Sequence, residues 1–265
     1  MNLRARGYEV IGSSRQNANG HLFLDFDQPS DQWPTMPKLK ALVICAAMNM
    51  VDQCEVNVDQ SFKRNVEAVK QLIRLYCSKG TQVVFFSSSH VFDGLKPFYK
   101  DTDLTHPRNV YGLHKTVAEE NVLDSGGIVI RLTKVIGPKF ARFHDWVHCL
   151  RSSQEIFCLD NLYTSLITLE NTVRLISECI DKDKRGIIHY SGPDDKSYVE
   201  IAKLIAVNLN LDQKLILPAP RTHKYSSNEA KHTTLKNSQF VEETGICSPN
   251  TRELMKQWCE GLASD

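Results

Sequence analysis

The sequence lacks an apolar run long enough to span a bilayer, and it lacks an excess of charge of either sign. Its 32 Lys and Arg residues nearly balance 31 Asp and Glu residues, which gives a formal net charge of +1. Acids and bases are mixed along the chain, so there is no electrostatic basis for binding nucleic acid or a membrane surface. We therefore expect neither a nucleic-acid partner nor a membrane partner.

The sequence also lacks paired cysteines and a signal peptide. Its eight cysteines are scattered and include no Cys-x-x-Cys pair, so we expect no zinc site and no other metal. The first eight residues, Met-Asn-Leu-Arg-Ala-Arg-Gly-Tyr, contain no apolar core of the kind that signal peptides have. Free thiols are typical of a reducing compartment, so these features together predict a cytoplasmic protein.

Short apolar runs alternate with amphipathic segments, which predicts an α/β protein with a doubly wound parallel sheet. The length of 265 residues and the apolar share of 42% suit one large domain with a smaller lobe. Strands are predicted at 8–12, 21–25, 39–47, 83–86, 128–132 and 186–190. Helices are predicted at 61–77, 109–123, 144–151, 170–180, 197–209 and 251–262. In such folds ligands bind where the strands end.

A serine at a predicted strand end and a Tyr-x-x-x-Lys pair in the next predicted helix form the strongest candidate site. Ser88 follows the run 83–86, and Tyr111 and Lys115 are four residues apart, so both project from one helix face. An ammonium group beside a phenol lowers the pKa of the phenol, which can donate a proton to a carbonyl oxygen that Ser88 polarises. The same spacing also occurs in helices with an exposed tyrosine and a solvated lysine. The strand-end serines and the Val-Phe-Asp-Gly turn at 91–94 favour the catalytic interpretation.

Six segments together resemble one protein family. Ser87 to Gly94 is similar to Ser-Thr-Asp-Tyr-Val-Phe-Asp-Gly, and Pro107 to Lys115 is similar to Pro-x-Asn-x-Tyr-Gly-x-x-Lys. The other similar segments lie at 45–55, 65–69, 131–138 and 186–192. In this combination the chain resembles the extended short-chain dehydrogenase/reductase superfamily, and most closely its dTDP-4-dehydrorhamnose reductase branch. That branch also contains the regulatory beta subunit of methionine adenosyltransferase.

The resemblance implies a Rossmann-type fold and an NAD(P)-dependent reductase, or an epimerase, that acts on a keto group of a nucleotide sugar. Its catalytic residues would be Ser88, Tyr111 and Lys115. Residues 1–135, with 164–192 returning to them, would form the nucleotide-binding domain. Residues 136–163 and 193–265 would form a small substrate-binding lobe. The chain could assemble as a homodimer.

The resemblance also implies positions for the cofactor and the substrate. An arginine after the first predicted strand, here Arg15, favours the 2′-phosphate of NADP over NAD; the alternative is a solvated loop cation. Asn65 could instead be an amide that packs helices, and His90 could be a general acid or a plain polar loop residue. The implied cofactor residues are Ser14, Arg15, Asp25, Phe26, Ala46, Ala47, Asn65, Tyr111 and Lys115. The implied substrate residues are Ser89, His90, Tyr163 and Thr164.

The chain departs from the family pattern at its start. The family opens with a strand and a Gly-x-x-Gly-x-x-Gly turn whose amides hold the cofactor pyrophosphate, and this sequence contains no such turn. We expect the strands near Tyr8 and Leu42 to lose the neighbour between them. Three interpretations stay open: a misassigned or shortened start, a natural short form without turnover, or another segment in the gap. The second leaves a rival function, a non-catalytic regulatory subunit with impaired cofactor binding.

Overall fold

The chain folds into alternating strands and helices. The computed structural model describes residues 3–16, 20–77, 80–219 and 230–262. The strands are β1 (Ser13–Ser14), β2 (Leu22–Phe23), β3 (Ala41–Ile44), β4 (Gln82–Ser88), β5 (Ile128–Leu132), β6 (Lys134–Ile136), β7 (Ile156–Leu159), β8 (Tyr163–Thr164), β9 (Leu166–Thr168), β10 (Gly186–Tyr190), β11 (Lys196–Ser197) and β12 (Ile216–Ala219). The α-helices are α1 (Val51–Val56), α2 (Val58–Phe62), α3 (Ala68–Tyr76), α4 (Val110–Asp124), α5 (Ala141–Arg151), α6 (Leu169–Asp181), α7 (Tyr198–Asn208), α8 (Gln239–Thr244) and α9 (Thr251–Leu262). In the part of the chain that the structure describes, no helix is long and apolar enough to cross a membrane.

Four strands form the central sheet, in the order β10-β5-β4-β3. β3 and β4 run parallel, with Ala41 opposite Gln82 and Ile44 opposite Phe85. β5 is buried at every position, as expected for an apolar strand that lies between two neighbours. The α/β class is confirmed, and so are the strands predicted at 83–86, 128–132 and 186–190.

The strand predicted at 8–12 is wrong. Residues 8–12 belong to no strand, and the nearest one, β1, pairs in parallel with β2 as a separate two-stranded sheet. Val10 and Ile11 remain 36% and 41% exposed. Their apolar pattern predicted a buried strand, but an extended segment becomes a strand only when a neighbour accepts its backbone hydrogen bonds. Among the described residues β3 ends the central sheet, so no described strand lies between it and the segment near Tyr8.

The helix predicted at 61–77 is interrupted. α2 passes into a π-helical turn at Lys63–Glu67, and the α-helical pattern resumes with α3. The side chain of Asn65, in the middle of this turn, is buried and bonds to the backbone of Met48. A π-helical turn inserts one residue into the helix and often occurs at functional sites. Here it brings the Asn65 amide to the loop after β3.

The first compact unit comprises Met1–Val91, Pro107–Arg131 and Val173–Ile188. Its core joins apolar side chains of β4 to those of α3 and α4. The members of this core include Val69, Leu72, Val83, Phe85, Ala118 and Val122. The core therefore holds α4, which carries Tyr111 and Lys115, against the strand that ends at Ser88.

The second compact unit comprises Phe92–His106, Leu132–Thr172 and His189–Asp265. Its core contains aromatic and aliphatic side chains of α5, α7 and α9, among them Phe143, Ile201 and Trp258. α7 begins with a capping box, in which the Ser197 hydroxyl accepts from the Glu200 backbone and the Glu200 carboxylate accepts from the Ser197 backbone. The helices predicted at 170–180, 197–209 and 251–262 are confirmed within one residue at each end.

Candidate active site

Ser88 is the last residue of β4. The strand residues Val83, Val84 and Phe85 are almost completely buried, so core packing fixes the strand that leads to it. Ser88 itself is half-buried, and its Oγ accepts a hydrogen bond from the backbone N–H of His90 at 3.3 Å. This bond turns the chain into the short 3-10 helix Ser89–Val91. Ser88 therefore stands at the carboxyl end of a central strand, where α/β sheets bind ligands.

Asn109 starts the helix that carries the other two candidate residues. Its Oδ1 accepts the backbone N–H of Gly112 at 2.8 Å, which caps α4. Because this bond fixes the amide orientation, Nδ2 faces Nδ1 of His90 at 3.3 Å. The His90 ring in turn lies edge-on to the Tyr111 ring, with 5.8 Å between the ring centres. Asn109 is absent from the predicted site, although an asparagine directly before a helix is a recognisable capping signal.

The structure brings Tyr111 and Ser88 together. Tyr111 is 8% exposed and packs against Met48, Val51 and Cys54. Burial raises the pKa of Tyr111 to about 12, and a hydrogen bond with Ser88 acts in the opposite direction. The phenol therefore keeps its proton at neutral pH.

Lys115 lies one turn beyond Tyr111, within the same buried layer. Its Nζ donates to the carbonyl oxygen of Phe86 at 2.8 Å and lies 4.4 Å from the centre of the Phe85 ring. The distance from Nζ to the centre of the Tyr111 ring is 5.9 Å. Burial lowers the pKa of Lys115 to about 8, and the charge of Glu119 opposes this shift. We expected the ammonium to lower the pKa of Tyr111; in the structure the group that lowers it is Ser88, because Lys115 is directed to Phe86.

Asn65 holds the segment that follows β3. Its Oδ1 accepts the backbone N–H of Met48 at 2.8 Å, and its Nδ2 donates to the Met48 carbonyl at 2.9 Å. Nδ2 also donates to the Ser61 hydroxyl, which bonds to Nδ1 of His114 at 2.9 Å. These contacts connect the segment containing Ala46 and Ala47 to α2 and α4. Ala46 is exposed and Ala47 is half-buried. Both follow the end of β3, where the resemblance places the cofactor.

The residues assigned to the adenosine end of a cofactor lie at the end of β1 and shortly after β2. Arg15 is exposed, and the Oγ of Ser14 accepts the backbone N–H of Gln16 at 3.0 Å. A carboxylate oxygen of Asp25 accepts the backbone N–H of Asp27 at 3.0 Å. The Phe26 ring contacts the Trp33 ring, with 5.6 Å between the centres. Their contact with a cofactor stays a prediction.

Of the residues assigned to the substrate, Ser89 lies in the first compact unit, and Tyr163 and Thr164 lie in the second. The side chain of Ser89 is buried in the turn after β4. Tyr163 and Thr164 form β8 in the second compact unit, where Thr164 accepts a hydrogen bond from the Thr233 hydroxyl at 3.0 Å. The Tyr163 ring stacks on His232, with 4.9 Å between the centres. Their assignment to a substrate also stays a prediction.

We expect Gly112→Ala to disrupt the site and Gly261→Ala to be harmless. A Cβ at Gly112 would lie 2.1 Å from the backbone oxygen of His90, so the segment beside Tyr111 must move. Such overpacking lowers the free energy of unfolding by about 1–3 kcal/mol. Gly261 lies in α9, and no atom lies within 4 Å of the position that an added Cβ would take, so alanine there raises stability by up to about 1 kcal/mol. Urea titration of both variants measures the difference, and equal changes in the two would contradict the close packing at Gly112.

Comparisons with known proteins agree with this architecture. The family model described as RmlD substrate binding domain matches residues 2–263. Methionine adenosyltransferase 2 subunit beta from Bos taurus is 26% identical over 251 residues, which cover 90% of this chain and 72% of that protein. A dTDP-4-dehydrorhamnose reductase from Sinorhizobium fredii is 29% identical over 178 residues, which cover 62% of this chain and 59% of that enzyme.

A solved structure shows the same fold. The dTDP-4-dehydrorhamnose reductase from Bacillus anthracis, in complex with NADP, superposes with a TM-score of 0.73 at 21% identity. The match covers 83% of this chain and 79% of that enzyme. The Rossmann-type fold is thereby confirmed. Because the family model spans nearly the whole sequence, the chain belongs to the RmlD substrate binding domain family, the dTDP-4-dehydrorhamnose reductase-like branch of the extended short-chain dehydrogenases/reductases.

Proposed function

We propose that this chain catalyses the NADP-dependent reduction of a keto group on a nucleotide sugar. The contact between Tyr111 and Ser88, with Lys115 one turn further along α4, is the observation that carries the proposal. Tyr111 and Ser88 supply a proton donor and a hydrogen-bond donor in contact with each other, and Lys115 supplies a cation 5.9 Å from the centre of the Tyr111 ring. When a cofactor supplies hydride to a carbonyl carbon, the first two groups protonate and polarise the oxygen, and the cation supports the phenolate that the reaction leaves behind.

The proposed roles follow from the protonation states of the site. Tyr111 holds its proton at neutral pH, since its pKa of about 12 lies far above that pH, and it gives that proton to the carbonyl oxygen as negative charge develops there. The Ser88 hydroxyl donates a hydrogen bond to the same oxygen. The Tyr111 phenolate then faces Ser88 and the Lys115 ammonium until solvent restores its proton. An epimerase would use the same three groups.

The donor set at this sheet edge fits a nicotinamide cofactor, which would supply the hydride. An ammonium has three N–H donors, and the Phe86 carbonyl accepts one from Lys115. Ribose hydroxyls are suitable acceptors for the others. Ala46 offers a small exposed side chain after β3, and the exposed Arg15 offers a cation for a 2′-phosphate. The Bacillus anthracis reductase binds NADP, whereas other proteins of the same fold bind NAD. The proposed preference for NADP therefore rests on Arg15.

The remaining assignments form part of the same proposal. Residues 1–135 with 164–192 bind the nucleotide cofactor, and 136–163 with 193–265 bind the sugar nucleotide. The eight cysteines are free thiols, which supports a reducing compartment such as the cytoplasm. A homodimer is the proposed assembly.

A non-catalytic regulatory subunit is the second candidate. One observation favours it: relatives named methionine adenosyltransferase 2 subunit beta match 90% of the chain. In this role the chain would bind a methionine adenosyltransferase catalytic subunit. It would need no turnover at Tyr111.

Titration of the chain with NADPH and NADH distinguishes the two candidates. The reductase proposal expects micromolar binding of NADPH, weaker binding of NADH, and loss of NADPH absorbance when a dTDP-4-keto-6-deoxyhexose is added. Gel filtration with a methionine adenosyltransferase catalytic subunit tests the second candidate in parallel. A folded chain that binds neither nucleotide would overturn the reductase proposal, and co-elution with the catalytic subunit would then support the regulatory one.

A further inference from the structure

A row of buried polar side chains runs along α4 beyond the candidate active site. Tyr111, Lys115 and Glu119 follow one another at intervals of four residues, so they lie on one face of the helix. All three are less than 9% exposed. The row ends at Arg131 on β5, which is also buried. The sequence pattern indicated chemistry only for the first two members.

Arg131 holds both oxygens of the Glu119 carboxylate. Its Nε donates to Oε1 at 3.0 Å, and its Nη2 donates to Oε2 at 2.7 Å. Each side chain of the pair is only 4% exposed. A bidentate pair of this kind fixes where the negative charge lies, because both oxygens are engaged. A buried ion pair is weak evidence for stability, since apolar residues of similar size often replace one without loss. Stability alone therefore does not explain why a carboxylate is buried at Glu119.

The Glu119 carboxylate acts electrostatically on Lys115. The Nζ of Lys115 has neutral partners, the Phe86 carbonyl and the Phe85 ring, although it is buried and carries a charge when protonated. Three groups raise its pKa against the effect of burial: Glu119 most strongly, then the thiols of Cys45 and Cys54. Desolvation raises the pKa of both thiols, of which Cys54 is buried and Cys45 is exposed, so they are neutral near pH 7. Glu119 is thus the group that supplies negative charge to Lys115.

We propose that Glu119, held in place by Arg131, is a positioning residue that keeps the Lys115 ammonium charged beside Tyr111. Arg131 prevents the carboxylate from turning to form a direct ion pair with Lys115, which leaves the ammonium to bond with Phe86 and with a ligand. Glu119 therefore provides charge without competing for the N–H donors of Lys115. The inference rests on the proposed function, because it concerns the lysine of the proposed proton-transfer site.

The protonation of Lys115 can be followed without cofactor or substrate. In the full chain labelled with lysine that carries ¹³C at Cε, the chemical shift of the Lys115 carbon changes with pH as Nζ loses its proton, and Lys115→Met identifies the signal. We expect Glu119→Gln to lower the midpoint of this titration by about one pH unit or more, as for the loss of a nearby opposite charge. This is about a tenfold change in the proton affinity of Nζ. Glu120→Gln is the matched control: Glu120 is the next residue on α4 but is exposed, so its removal should leave the midpoint unchanged.

Glu119→Gln removes the negative charge that faces the buried Arg131 guanidinium, which could prevent folding. The double variant Glu119→Leu/Arg131→Met removes both charges and keeps the volume, and we expect it to fold and to show a lowered Lys115 midpoint as well. An unchanged or raised midpoint in either folded variant would overturn the inference, as would an equal shift in Glu120→Gln. The outcome is separate from that of the NADPH titration: Lys115 can respond to Glu119 in a chain that binds no nucleotide.

Discussion

Replacement of Tyr111 by phenylalanine should abolish reduction while leaving the fold and the nucleotide affinity intact. The ring is buried against Met48, Val51 and Cys54, and phenylalanine preserves those contacts. The hydroxyl that meets Ser88 is lost, so no group remains to give a proton to the carbonyl oxygen. A positioned proton donor contributes about 100- to 10,000-fold to rate, and we expect kcat to fall by that factor with little change in the Kd for NADPH.

Tyr76→Phe is the matched control for this experiment. The Tyr76 hydroxyl donates to the carbonyl oxygen of Pro34 at 2.8 Å, on α3 and outside the candidate site. Its removal should leave the reductase rate unchanged. If Tyr111→Phe kept the wild-type rate with its fold intact, Tyr111 would not be the proton donor. In that case the fall in kcat caused by Ser88→Ala should be measured next.

The sequence predicted the candidate catalytic residues because their placement depends on local patterns. Ser88 follows an apolar run that predicted a buried strand, and four-residue spacing on a helix brings Tyr111 and Lys115 to one face. The structure places both elements in one compact unit and brings the phenol to the serine. Local spacing suggested this set, and the family resemblance implied the same three residues.

The features that sequence reasoning missed depend on contacts between distant residues. The π-helical turn accompanies the bonds between Asn65 and Met48, which are 17 residues apart. The failed strand at 8–12 depended on a neighbouring strand, which an apolar pattern cannot supply. The predicted direction of the Tyr111 pKa shift was also wrong: the pKa is raised, since burial outweighs the hydrogen bond with Ser88. Glu119 was missed because its partner, Arg131, lies on another element.

A second large effect is expected on stability rather than on rate, at Lys115. The lysine is 3% exposed, and burial lowers its pKa from 10.5 in the unfolded reference to about 8. The folded chain therefore carries the cost of a buried ammonium at every pH below about 8. Lys115→Met keeps an unbranched apolar side chain and removes the charge. We expect it to raise the free energy of unfolding at pH 7 by roughly 2–3 kcal/mol, the equivalent of the pKa difference less the lost bond to Phe86.

The sign of the pH dependence follows from proton uptake on unfolding. Between about pH 8 and 10.5 the folded lysine is neutral whereas the unfolded lysine is charged, so unfolding binds a proton. The titration of Lys115 therefore raises the free energy of unfolding of the wild type as the pH increases from about 8 to about 10.5. The advantage of Lys115→Met should be complete at pH 7 and small near pH 10. Urea titrations at both pH values measure this change.

Lys70→Met provides the comparison, because Lys70 is exposed on α3 and its replacement should alter stability little at either pH. A Lys115→Met variant that is no more stable than the wild type at pH 7 would show that the ammonium is not costly to bury. We expect Lys115→Met to be more stable than the wild type at pH 7 and to lose NADPH binding. A residue whose removal stabilises the fold and weakens ligand binding is retained for the site and not for the core. That pairing of effects would connect the burial of Lys115 directly to the proposed chemistry.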